Sequence, residues 1–136
     1  MPPEQKSEEG GSPGATADDL KRIGAMLRAA RDARTIIGDL DAASLGRDMV
    51  RTRAAVNCFT EIGEAASRLT PGGRALVGEF PWRQIVGVRN NVVHVYWGID
   101  LAVVVKACRD DLPGLIGALE RVFAAGTSGE NGPSDA

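Results

Sequence analysis

The chain has one histidine, one tyrosine and two cysteines among 136 residues, and aromatics make up only 4% of it. A core this poor in aromatic rings must be filled by Ala, Val, Leu and Ile, a composition that suits packed helices. Cys58 and Cys108 lie fifty positions apart, neither belongs to a CxxC pair, and both sit among apolar residues. They read as reduced, packed thiols. With a single histidine and no cysteine cluster, no metal site is expected within one chain, and no cofactor is expected. No apolar run approaches the roughly 18 residues of a membrane helix. The first stretch, "MPPEQKSEEGGSPGATADD", is acidic and lacks an apolar segment, so it reads as neither signal nor transit peptide. The expected location is the cytoplasm.

The chain is 43% hydrophobic and 25% charged, which fits one globular domain with a real core. The formal net charge is −2, but the acids are concentrated at the ends. Residues 1–19 carry five acids and Lys6 alone as a base, and residues 126–136 carry Glu130 and Asp135 and no base. Residues 20–125 then hold 15 bases, mostly arginine, against 11 acids. That mildly basic balance permits phosphate contacts without demanding them.

Both ends are rich in Gly, Ser, Pro and acids, so 1–17 and 126–136 are expected to be disordered tails flanking a helical domain over 18–125. Leu20, Ile23, Leu27, Ala30, Ala33 and Ile37 recur every three or four positions and predict a first long helix. Thr16, Asp18 or Asp19 could cap it. "GDLDAASLG" predicts a break around one short turn of helix. Met49, Val56, Phe59, Ile62, Gly63, Ala66 and Leu69 predict a second long helix over about 47–69, ended by "TPGG". Pro81 is placed to start another helix, with Trp82, Ile85, Val86, Arg89, Val92 and Val93 on one face. Its far end, "VVHVYW", alternates like a strand but has no second strand to pair with, so helix is expected to about Val93 and a turn through Gly98. A last segment starts at Asp100 and is kinked or restarted at Pro113. The expected fold class is all-α, an up-down bundle of four main helices plus short helical segments.

The scarce residues gather in "RNNVVHVYWG", 89–98. Arg89 offers a forked, permanent cation for phosphate oxygens, and His94 can move a proton near neutral pH. Asn90 and Asn91 could hydrogen-bond the same anion, and the Tyr96 hydroxyl could donate a proton or accept a transferred group. On an ideal helix Arg89 and His94 lie about 140° apart and do not share a face. They meet on one ligand only if the helix ends between them or a second subunit supplies one. Structural roles compete: a satisfied core histidine, an arginine paired with Glu61, Glu64 or Asp32, and Tyr96 with Trp97 as core filler. Asp32 and Glu64 are also candidate partners that would orient Arg89 or raise the pKa of His94.

The stretches "EIGEAASRLT" (61–70), "PWRQIVGVRNNVVHVYWGIDLAVVV" (81–105) and "DLPGLIGAL" (111–119) resemble the HepT-like toxins of the HEPN superfamily. The resemblance runs from about residue 20 to 122, and its signature, Arg-x4-His-x-Tyr, falls on Arg89, His94 and Tyr96, with Asn90 beside the arginine. It implies an all-helical HEPN-like dimer with the Arg and His of two subunits lining a cleft, and a metal-independent endoribonuclease toxin. His94 would be the general acid/base, Arg89 would neutralise the phosphate, and Asn90 would support either the phosphate or Arg89. The partner implied is a minimal nucleotidyltransferase antitoxin that AMPylates Tyr96. RNA, rather than DNA or a membrane, is the expected partner. Two other classes remain beside it: a non-catalytic helical dimer that binds a partner protein or nucleotide through the same cleft, and a metalloenzyme built from two His94 side chains.

Overall fold

A computed structural model describes residues 14–87 and 101–135, with side chains to 124 in the last helix. Among the described residues there is no strand. The elements are α1 (Ala17–Ile37), α2 (Ala42–Gly46), α3 (Met49–Ser67), α4 (Pro71–Val77), α5 (82–87), α6 (Leu101–Lys106), a π-helical segment (Ala107–Asp111) and α7 (Leu112–Asp135). The expected all-α bundle is what forms.

The first starts have local chemical causes. Thr16 caps α1 in a capping box: its hydroxyl accepts from Asp19 N at 3.0 Å, while the Asp19 carboxylate accepts from Thr16 N at 2.9 Å. Asp41 and Asp48 cap α2 and α3 by accepting from Ser44 N and Arg51 N. Gly38 ends α1 at φ +52°, a left-handed conformation that costs glycine nothing.

The long helices run up and down. Arg22 Nη1 donates to Arg68 O, so the start of α1 lies beside the end of α3, while Arg51 Nη1 donates to Ile36 O at the opposite ends. α7 also opposes α1: Arg31 pairs with Glu120 at 2.7 Å, and Arg34 Nη1 donates to Cys108 O at 3.2 Å. Ile23, Met26 and Ile37 of α1, Leu45 of α2, Ile62 of α3 and Leu119 of α7 are fully enclosed where these faces meet. Each contributes about 1.5–3 kcal/mol by leaving water.

Three expectations shift. Leu20 and Met49 were placed on buried stripes, yet they are 42% and 57% exposed. At the start of α1 the inward position is taken by Asp19, whose carboxylate reaches α4, so Leu20 is turned outward. Met49 lies in the first turn of α3 and is left open to solvent. "TPGG" does follow the end of α3, but it also begins α4: Thr70 is the N-cap, accepting from Gly73 N at 3.1 Å, and Pro71 takes the first turn.

Pro113 lies in the first turn of α7, which restarts at Leu112 after the π segment, in line with the kink or restart expected there. The preceding turn widens into the π segment, in which Leu112 N donates to Ala107 O. The wider turn accommodates a ring that has no N–H to give and would crowd the carbonyl four residues back. The α7 backbone is helical to Asp135, across residues whose composition suggested a tail. Of the tail expected over 1–17, residues 1–13 lie outside the described residues, while Thr16 and Ala17 form the cap and start of α1.

Candidate functional site

The expected catalytic and modified residues Arg89, Asn90, His94 and Tyr96 lie outside the described residues, as do Val92, Val93, Trp97 and Asp100. What the structure defines is the frame that the motif leaves and re-enters.

On the entering side, Pro81 opens α5: Gln84 N and Ile85 N donate to Pro81 O at 2.9 and 3.0 Å. Trp82 anchors this helix. Its Nε1 donates to Gly78 O at 3.3 Å, its ring meets Phe80 edge-on at 6.0 Å, and the Arg74 guanidinium lies 5.5 Å over it. Arg74 also donates to Ala66 O at the end of α3, so α3, α4 and α5 are tied at one point. Trp82, Ile85 and Val86 pack against the core, as their spacing predicted. On the returning side, Leu101 approaches Gly46 of α2 so closely that a Cβ there would stand 3.3 Å from its Cδ1.

The two carboxylates considered as partners for the motif are exposed on the long helices. Glu64 stands 3.8 Å from Arg68 one turn on. Together with Arg22, Arg28 and Glu61 they line a shallow groove between α1 and α3. Asp32, on α1, bears on Cys58, whose thiol is pushed up to about 11 by burial first and then by the charges of Asp32 and Glu61. Cys108 is also raised by burial, against the pull of Arg34 and Arg109. Both thiols are free and buried, as expected. Burial and the raised pKa both disfavour the thiolate, the form that reacts and binds metals.

Among the described residues no group of three or more His, Cys, Asp or Glu could hold a metal ion. Nor is any helix long and apolar enough to cross a membrane.

Sequence reasoning missed the carboxylate at the joint of α1 and α4. Asp19 is fully buried and accepts from Thr16 N, Thr70 N and Thr70 Oγ1, the last at 2.5 Å. Burial alone would raise its pKa; the Thr70 and Thr16 hydrogen bonds outweigh that and hold it at about 2. The signal was a Thr three residues before an acid at a helix start, read only as a cap. Its role is structural: one carboxylate joins the starts of two helices.

Residues 26–122 match the family described as Ribonuclease HepT-like. A protein of Thermococcus cleftensis named "Probable ribonuclease HepT" is 32% identical over 69 residues, covering 51% of this chain and 63% of that one. A protein of Methanocaldococcus jannaschii with an RNase name is 28% identical over 88 residues, covering 65% of this chain and 81% of that one. A third, from Caldanaerobacter subterraneus and also named as an RNase, is 32% identical over 69 residues, covering 51% and 62%. The chain thus spans a little under two thirds of the length of the first and third of these relatives. No solved structure matches it. The family match extends across the helices that tie down α5 and α6 and includes the whole Arg-x4-His-x-Tyr stretch between them: the chain belongs to the HepT-like ribonuclease family.

Proposed function

We propose that the protein is a metal-independent endoribonuclease and the toxin of a toxin–antitoxin pair, acting in the cytoplasm. The observation that carries this reading is the motif Arg89, His94, Tyr96 within "PWRQIVGVRNNVVHVYWGIDL", inside the family match over 26–122. Relatives named as ribonucleases support it.

The chemistry follows from the side chains. His94 takes the proton of a ribose 2′-hydroxyl, whose oxygen attacks the adjacent phosphorus. The bond to the 5′-oxygen breaks, and that oxygen leaves with a proton. The products are a 2′,3′-cyclic phosphate and a 5′-hydroxyl. Arg89 neutralises the charge that builds on the phosphoryl oxygens, and Asn90 supports the phosphate or the guanidinium. A chain with one histidine has one proton carrier; a homodimer brings two to a shared cleft. A nucleotidyltransferase antitoxin silences the site by joining the Tyr96 hydroxyl to the α-phosphorus of ATP, with release of pyrophosphate. A nucleotide two positions from His94 adds bulk and negative charge that exclude RNA, by the same logic as phosphorylation.

Wild type and His94→Ala are to be expressed without an antitoxin and matched for folding. The wild type is expected to arrest growth and cut RNA in the presence of EDTA, and the variant to do neither. Full toxicity in His94→Ala removes the proposed centre. Equal inertness of the two proteins favours a binding cleft over a nuclease, and loss of cleavage in EDTA favours a metal-dependent one.

A further inference from the structure

Away from the groove between α1 and α3, a cavity of about 280 Å³ opens between α3, α5 and the π segment that leads into α7. Its walls are apolar: Phe59 and Ile62 from α3, Ile85 from α5, and Leu115 from α7. A dry apolar cavity of about 150 Å³ takes up a benzene molecule, so this one has room for an aromatic or branched aliphatic side chain and part of a neighbour. The rim has one sign of charge. Asp110 and Asp111, both exposed on the π segment, stand at the mouth, and no basic side chain among the described residues lines it. Asp110 pairs with Lys106 at 2.8 Å, one turn back along the same helix, so the pair's cation lies next to the rim and Asp111 adds the second carboxylate. The π segment itself sets this arrangement. By inserting a residue into the helical repeat ahead of Pro113, it presents two consecutive carboxylates beside an apolar wall that an unbroken α-helix would carry around its axis at a different angle.

We propose that this groove is a docking site for a peptide segment of a partner protein that carries an apolar anchor flanked by arginine or lysine. Charge complementarity selects that occupant. An apolar anchor alone would fill the cavity, but two rim carboxylates favour cations beside it and repel an acidic segment. The docking does not depend on nuclease activity, so its failure and the failure of the nuclease reading are separable.

The test uses the full chain and a fluorescein-labelled amphipathic peptide with Leu and Phe one helical turn apart and Arg on either side, against the same peptide with Glu for Arg. A bimane dye on Gln84→Cys, an exposed position at the mouth, reports occupancy; the two native thiols are buried. The basic peptide is expected to bind and to change the bimane emission. Binding should weaken with salt and fall by about threefold to tenfold in the Asp110→Asn, Asp111→Asn double variant. The acidic peptide should not bind. Equal binding of both peptides, binding that leaves the dye unchanged, or no binding overturns the proposal. So does a dye signal that rises with protein concentration without peptide, which would assign the groove to a second copy.

Discussion

Asp19 and Thr70 are joined twice: Thr70 Oγ1 donates to Asp19 Oδ2 at 2.5 Å and Thr70 N donates to Oδ1 at 2.9 Å. Each residue belongs to the cap of a different helix, fifty-one positions apart. Two helix starts, each with unpaired N–H groups and a positive dipole end, converge on one buried carboxylate.

The carboxylate makes stability acid-sensitive. Its folded pKa is about 2 against an ordinary value of 3.8. A depressed pKa means stability that is fully present above about pH 4 and lost as pH falls through 2, worth about 2 kcal/mol. Asp19→Asn should therefore be less stable than wild type by about 2 kcal/mol at pH 7, and the gap should narrow below pH 3. Urea unfolding of both proteins across that range checks it. A gap independent of pH would show that the charge is not what matters.

Gly73 is required by the same joint. A Cβ there would stand 2.6 Å from Asp19 Cγ, on a side chain pinned by three donors and unable to swing away. Gly73→Ala should cost about 1–3 kcal/mol through overpacking, despite the helix propensity that alanine gains. In the Asp19→Ala background the cost should largely vanish, so a double-mutant cycle by thermal melting should be strongly non-additive.

The thiols should be silent in the native protein. With Cys58 pushed up to about 11, about one thiol in a thousand is ionised at pH 8. Cys108 is raised by burial in the same direction. Reaction with a disulfide reagent should be slow under native conditions and quick in denaturant, with two equivalents titrated. Rapid native labelling would mean that the core opens locally around α3 or the π segment.

Under the proposed function, Tyr96→Phe separates cleavage from its control. Phenylalanine keeps the ring and removes the only atom that accepts AMP. The variant should still cut RNA and arrest growth, and an active nucleotidyltransferase antitoxin should no longer rescue it or add AMP mass. Rescue as complete as for wild type would mean that neutralisation works by binding alone.

The helices were legible because their signals are local. Ile23, Leu27, Ala30, Ala33 and Ile37 lie where period 3.6 puts them, and all are buried. The cap at Thr16 and the start of α5 after Pro81 follow from a few adjacent residues. The family resemblance was legible for a similar reason, since a spaced motif needs no fold to be seen. Leu20 and Met49 were misread because their surroundings come from elsewhere in the chain. Whether a stripe residue is covered depends on which helix arrives opposite it, and the residues near Met49 in sequence do not record that.

By itself the sequence determined that this is a helical chain, and it gathered the candidate chemistry in one stretch. Side-chain periodicity, capping and residue spacing are short-range properties. Only the tertiary structure decided that Asp19 is a buried joint rather than a surface cap, and that Asp110 and Asp111 rim an apolar groove. Each of these depends on groups far apart in sequence being brought within a few ångströms. Burial and hydrogen bonding take effect only once the helices pack.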